Sequence, residues 1–367
     1  MKKTKLLMIA ASCLAIALLG CEKEGPTSQS IKPGSDSRSV AWTSLADLIP
    51  NYVYTLVGNP DKYEQIDGVG DQASFTNIDQ LIADDGYLYA ADGYQIRRIN
   101  IADRTVTTLA GNKSGGASRD GFKEEASFLL PGSIALGPDG SIYVADFVTV
   151  RKVTKEGRVT TIAGSTGGYQ DGPAKDAKFR ILRAITVCKD GTIYVVDDMD
   201  DWDDKNMQIR KISSSGVVST VTSGGPDGPN SSWTLTSLAF LDGALYASGK
   251  GLYKFSSTGE VTTIKKDIDV ASQSLLPMPD GSFFIAVNNQ ILKLSATGSA
   301  TPVAGIPVTD LYAKPAEGPA DSVDLHHPYG FTLYNNVLYI PVHPAFPELE
   351  SPYSQQGHVI QMIALPK

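Results

Sequence analysis

One unit returns six times between about residue 55 and the C-terminus, and that repetition constrains the fold before any single residue is read. Its clearest copy runs from Thr108 to Gly164: TLAGNKSGGASRDGFKEEASFLLPGSIALGPDGSIYVADFVTVRKVTKEGRVTTIAG. A unit of this kind cannot bury its own apolar face and must stack on its neighbours. Three of its positions can be overlaid along the chain. The first reads TLVG at 55–58, TLAG at 108–111, TIAG at 161–164, TVTS at 220–223, TIKK at 263–266 and PVAG at 302–305. The second reads LYAAD from Leu88, IYVAD from Ile142, IYVVD from Ile193, LYASG from Leu245, FFIAV from Phe283 and LYIPV from Leu338. The third reads IRRI from Ile96, VRKV from Val150, IRKI from Ile209, LYKF from Leu252, ILKL from Ile291 and VIQM from Val359.

Each run is short, rich in β-branched and aromatic residues, and bounded by Gly, Asp, Pro or Ser, as strands between turns are. With the apolar run before each PDG-type turn, such as 133–136, the unit holds four strands. Four short antiparallel strands recurring every 40 to 60 residues or so suit a propeller blade. The chain starts the pattern with the TLVG strand and ends it after the VIQM strand, so the first strand must complete the last blade. That closure removes the open sheet edge that endangers all-β folds. The expected fold is all-β: a six-bladed β-propeller of four-stranded antiparallel blades over residues 52–367.

The order DGxxxxAxF, Pro, apolar run, PDG, IYVAD, IRKI, G, VTTIAG resembles the NHL repeat, which implies a six-bladed propeller. The units ending at Gly111 and Gly164 meet it almost in full, and the likeness extends from Tyr52 to Pro366. Blades four and five depart from it: LYASG lacks the Asp, and no DGxxxxAxF precedes FFIAV. The recurring DG (Asp67, Asp120, Asp171, Asp227, with Glu317 in the last blade) reads as scaffold, a tight turn with Gly at positive φ. Ala73, Phe75, Ala126, Phe128, Ala177 and Phe179 read as packing between blades.

Ahead of the repeats, Lys2, Lys3 and Lys5 precede an apolar run from Leu6 to Leu19, the pattern of a secretory signal over residues 1–20. LLGC at 18–21 resembles a bacterial lipobox, which implies that Cys21 is acylated and becomes the first mature residue. Residues 21–51 then read as a lipidated flexible tether, rich in Ser, Gly, Pro and Thr. The lipobox likeness implies export and lipid attachment at the bacterial outer membrane, on the periplasmic or surface side; Glu22 and Glu24 faintly resemble the surface-export signal of Bacteroidota lipoproteins, and the location does not rest on them. Without the three signal lysines the formal charge of −8 becomes −11, which excludes nucleic acid as a natural partner. Past Cys21 the only cysteine is Cys188, in an apolar run where a free thiol is a small core residue.

In a four-stranded blade, the connections after the second and fourth strands open on one face. Here those connections are the long ones (112–130, 165–181, 306–327, 198–208 and 343–357), so binding groups are expected on that face, around the channel mouth. The acidic run from Asp197 to Asn206 offers Asp198, Asp200 and Asp201 as oxygen ligands for Ca²⁺, or is a solvated acidic loop in which Trp202 contacts a ligand. All four histidines (His326, His327, His343, His358) fall in the last blade. His327 and His343 could ligate Zn²⁺ or act as acid and base, or be plain loop histidines. Tyr63, Tyr169, Trp202, Trp233, Tyr312, Tyr329, Phe346 and Tyr353 either stack on sugars and anchor partners or are ordinary surface rings.

The ligand-binding candidates are Arg183, Trp202, His327, Tyr329, His343 and Tyr353. The metal candidates are Asp198, Asp200, Asp201, His327 and His343, for Ca²⁺ or Zn²⁺. No serine, cysteine or paired-carboxylate catalytic pattern stands out in the sequence, which leaves open triads that only the fold assembles. The leading reading is a membrane-attached binding or scaffolding module for a glycan, peptide or envelope protein. A metal-dependent hydrolase or lyase at the channel mouth, using His327 and His343 near Arg183, is the alternative.

Overall fold

The computed structural model describes residues 44–198, 207–223, 234–256, 259–268, 270, 274–307, 315–342 and 357–366. Its strands form six antiparallel sheets arranged as the blades of a propeller. The first blade, from the axis outward, is Ile78–Asp84, Tyr87–Asp92, Gln95–Asn100 and Thr105–Ala110. The second is Pro131–Leu136, Ile142–Asp146, Thr149–Val153 and Arg158–Ala163, and the third Leu182–Val187, Ile193–Asp198, Met207–Ile212 and Val217–Ser223. Leu235–Leu241, Ala244–Gly249, Gly251–Phe255 and Val261–Lys266 make the fourth, and Leu275–Pro277, Phe283–Val287, Gln290–Leu294 and Ala300–Ala304 the fifth. The sixth is Thr332–Tyr334, Val337–Val342 and Val359–Ala364, completed by Tyr52–Val57 from the start of the chain. Val53 pairs with Ile363, Tyr54 with Met362 and Thr55 with Gln361, so the ring closes as the repeat order requires.

Side chains stitch neighbouring inner strands together. Gln80 Oε1 accepts from Ser133 Oγ (2.9 Å) and the Ile134 amide (2.7 Å), and Ser133 Oγ in turn accepts from the Ile185 amide (3.1 Å). Ser237 Oγ accepts from the Ser274 amide (3.0 Å), and the Leu81 amide donates to the Gly330 carbonyl (2.7 Å). Between the blades lie the apolar layers. Ala73, Phe75, Ala126, Phe128, Ala177 and Phe179 are all fully buried there, as their recurrence implied. Cys188 is buried too, and burial pushes its thiol up to about 12. Among the described residues no helix is long and apolar enough to cross a membrane.

The DG element differs from its reading as a turn. It forms a two-residue fifth strand on the outer edge of four blades: Gly68–Val69, Gly121–Phe122, Gly172–Pro173 and Gly318–Pro319. Gly68 and Gly121 do not take a positive φ. They are glycines because backbone passes close: a Cβ on Gly121 would sit 2.9 Å from the Ala126 amide nitrogen and the Glu125 carbonyl carbon. Asp227 lies outside the described residues.

Its aspartate is scaffold, through a partner distant in sequence. Asp67, Asp120 and Asp171 each bind a fully buried arginine of the IRRI-type strand, Arg97 (2.8 Å), Arg151 (2.8 Å) and Arg210 (2.6 Å). Each arginine also holds the buried aspartate that closes the IYVAD-type sequence run: Asp92 (2.7 Å), Asp146 (3.0 Å) and Asp197 (2.6 Å). The outer aspartates accept from the amides of Thr108, Thr161 and Thr220, the first residues of the TLAG-type runs. The guanidinium groups lie over Phe75, Phe128 and Phe179 at 5.1–5.5 Å. One motif thus encodes one buried charge network in each of the first three blades, and the charges are tolerable inside because each is paired and hydrogen-bonded.

In the last blade Glu317 accepts from the Thr55 amide (2.8 Å) and Gln361 replaces the arginine, donating to the Ala316 carbonyl (2.9 Å). In the fifth blade the parts are lost together. Val287 stands for the inner aspartate, Leu292 for the arginine, and Pro302, which has no N–H to satisfy, for the threonine.

Candidate functional site

The first strands of the blades start on the face where the long connections emerge. Four of them carry a β-bulge at the same place, just inside the channel mouth. The register breaks between Ile78 and Gln80, Pro131 and Ser133, Leu182 and Ala184, and Leu235 and Ser237. Asp79, Gly132, Arg183 and Thr236 are therefore left without cross-strand partners, in the setting where bulges re-aim side chains.

Of these four, only Arg183 is a residue the sequence singled out. Its Nε and Nη2 both donate to Asp198 Oδ2, at 3.1 and 2.9 Å. Asp198, read from the sequence as part of an acidic loop, is the last residue of the strand Ile193–Asp198 and has no exposed side-chain surface. Its charge is matched by Arg183. The structure therefore joins a metal candidate and a ligand-binding candidate as an ion pair. Asp200, Asp201, Trp202, His343 and Tyr353 lie outside the described residues.

Asp79 is the mouth residue that sequence reasoning missed. Asn77 Nδ2 donates to its Oδ1 at 2.9 Å. Burial, opposed by that hydrogen bond and reinforced by Asp92, raises its pKa from 3.8 to about 7. Beside it, in the sixth blade, a Cβ on Gly330 would collide with the Asp79 carbonyl, so the Gly330 backbone is seated directly against Asp79–Gln80. Toward the second blade, the space off Gly132 is open: nothing lies within 4 Å of a Cβ built there.

His327 and Tyr329 do come together. Their rings stack with centroids 5.8 Å apart and planes 27° from parallel. Burial, followed by the neighbouring His326, lowers the His327 pKa, so the ring is neutral at physiological pH. His326 and His327 both have positive φ, 40° and 55°. Two consecutive left-handed non-glycine residues cost on the order of 1–3 kcal/mol each and are found where surrounding structure enforces them. Here Asp324 Oδ1 holds the turn, accepting from the His326 amide (2.9 Å) and Asn289 Nδ2 (2.7 Å). His358 is buried, its Nδ1 accepting from the Ile78 amide at 2.9 Å, and desolvation drops its pKa to about 3.

Of the other rings, Tyr63 is exposed, and Trp233, Tyr312 and Phe346 lie outside the described residues. Tyr169 is at the outer edge of the third blade, over Arg210 (4.6 Å), its hydroxyl 2.7 Å from Thr220 Oγ1. Two clefts lie off the axis: one of about 640 Å³ between the fifth and sixth blades, beside Phe284, Pro302 and Pro319, and one of about 390 Å³ near Asp67 and Glu124. Among the described residues, no three His, Cys, Asp or Glu side chains converge as a metal site would require.

No family model matches the chain. Mouse teneurin-4 is 27% identical over 179 residues, a match that covers 44% of this chain and 6% of teneurin-4. Among solved structures, an auxiliary nutrient binding protein from Bacteroides ovatus superposes with a TM-score of 0.57 at 13% identity, covering 85% of this chain and 77% of that one. A protein of unknown function from Bacteroides thetaiotaomicron gives a TM-score of 0.56 at 19% identity, over 85% and 76%. A gluconolactonase from Xanthomonas campestris gives 0.51 at 11%, over 89% and 94%. At these identities the likeness is one of fold, and the fold it establishes is the six-bladed β-propeller.

Proposed function

We propose that this chain is a binding module of the NHL-repeat type. It takes its ligand at the channel mouth on the long-loop face and is held to the bacterial outer membrane through an acylated Cys21. The observation that carries the binding role is the ring of bulged inner-strand residues. Scaffold positions repeat from blade to blade, whereas the mouth positions Asp79, Gly132, Arg183 and Thr236 are all different, as expected where a site rather than the ring sets the residue. The stacked His327–Tyr329 pair on strained backbone adds to this. The Bacteroides ovatus neighbour, described as nutrient binding, is in keeping with capture of a small nutrient. A glycan, a peptide or an envelope protein is the ligand class.

The test is an array of glycans and peptides probed with the full chain secreted as Cys21→Ser, which lacks the acyl group. Retention of a defined class, weakened by Tyr329→Ala, supports the reading. Retention unchanged in that variant and in His327→Ala removes the mouth from it. Labelling with a radioactive fatty acid, lost in Cys21→Ser, tests the anchor. The alternative, a metal-dependent hydrolase or lyase, draws on the neutral His327 ring; stoichiometric Zn²⁺ or Ca²⁺ in the purified protein, lost in His327→Ala with His343→Ala, would favour it.

A further inference from the structure

The described part of the mouth specifies what kind of ligand it suits, an inference that rests on the mouth being the binding site. Arg183 is fixed by Asp198, so its charge is already matched. The Asp79 carboxyl is held by one side-chain donor, Asn77, among the described residues. The sector between them has no side chain, because the bulged residue of the second blade is Gly132. On its other flank the Gly330 backbone is seated against Asp79, and next to it in sequence is Tyr329, a half-buried ring stacked on a neutral imidazole. A strongly anionic ligand would meet the Asp79 carboxylate and a guanidinium that is already paired, so it gains little from this arc. A hydroxyl-rich ring is matched in each part: donors for the carboxyl, acceptors for the guanidinium, and a C–H face for the phenol ring.

We infer that the arc Tyr329–Asp79–Gly132–Arg183 is a saccharide subsite, with Asp79 as its specificity-determining hydrogen-bond acceptor and the open sector at Gly132 as the place the sugar ring occupies. A carboxylate that accepts two adjacent hydroxyls distinguishes sugars by the configuration of those hydroxyls. Loss of a hydrogen bond to a charged group weakens binding roughly tenfold to a hundredfold.

The experiment uses the full Cys21→Ser chain and a panel of neutral gluco-, galacto-, manno- and xylo-configured oligosaccharides beside a peptide panel, at pH 8. Two variants accompany it. Asp79→Asn keeps the shape but removes the charge of the acceptor. Gly132→Leu extends a side chain into the open sector, where its Cβ has no other atom within 4 Å, and unchanged circular dichroism confirms that it folds. The expected result is that one sugar configuration is retained, weakened at least tenfold in Asp79→Asn and abolished in Gly132→Leu. Sugars bound equally by all three proteins would overturn the subsite while leaving a binding module with its site elsewhere. Peptides alone bound, and blocked by Gly132→Leu, would overturn the saccharide class while upholding the mouth. Retention of no saccharide at all overturns the inference.

Discussion

Replacing Arg151 by leucine tests whether the repeated motif is a charge network first and a packing device second. Arg151 lies wholly inside the second blade, 3.0 Å from Asp146, which is also fully buried, and 2.8 Å from Asp120, which is about half exposed. Leucine leaves Asp120 in water, at little cost, but strands the Asp146 carboxylate in the interior. Unit charges about 4 Å apart at an effective dielectric of 20 interact by roughly 4 kcal/mol, and breaking buried pairs costs about 3–5 kcal/mol. Loss of the contact with the Phe128 ring adds about 0.5–1 kcal/mol. Adding Asp146→Asn should reverse much of that loss, because the amide oxygen still accepts from the Leu129 and Leu130 amides, now at 2.8 Å from the carboxylate. Urea unfolding followed by circular dichroism is the assay, with about 2 kcal/mol of coupling in the double-mutant cycle as the expected result. The fifth blade, with Val287, Leu292 and Pro302 at these positions, shows the uncharged solution in the same ring. A double variant no more stable than Arg151→Leu alone would refute the reasoning.

Other consequences can be measured directly. Asp79 titrates near 7 in the folded chain and near 4 unfolded, so its contribution to stability falls as pH rises from about 4 to 7; Asp79→Asn should therefore stabilise the protein at pH 8, by on the order of 1–2 kcal/mol after allowance for solvent at the mouth. His358 acts at the acid end: its neutral ring is held with a pKa of about 3, against about 6.5 unfolded, so stability is lost as pH falls between those values. His358→Asn, which keeps an acceptor for the Ile78 amide, should flatten that acid limb in denaturation midpoints measured from pH 7 to 4. Gly249→Ala should destabilise by several kcal/mol, since the new methyl meets the Thr234 carbonyl, whereas Gly132→Ala should change the unfolding midpoint by less than about 0.5 kcal/mol. Cys188 should react with iodoacetamide only at the rate of unfolding, and faster labelling in native buffer would contradict its burial.

The strands and their order around the ring were legible because each copy of the unit repeats the same apolar runs, and the pairing of Tyr52–Val57 with Val359–Ala364 follows from where the pattern starts and stops. Asp67 and its equivalents were read as turn residues because local chemistry is all that adjacent Asp and Gly display. Their partners, Arg97 and Thr108, lie 30 and 41 positions away, and only the recurrence of all three in step could have linked them. Asp198 was assigned to the acidic run that follows it, although the strand preceding it carries one residue further than LYAAD or IYVAD. Asp79 left no signal: a bulge has no sequence signature of its own, and this position does not repeat.

A ring fastened by its first and last strands imposes an order on its own making. Residues 52–57 are made before every blade strand they will join, with their outer-edge partners at 317–319 and their inner partner at 359–364 all coming from the far end of the sequence, so five wedges can stack while the sixth waits with an open flank.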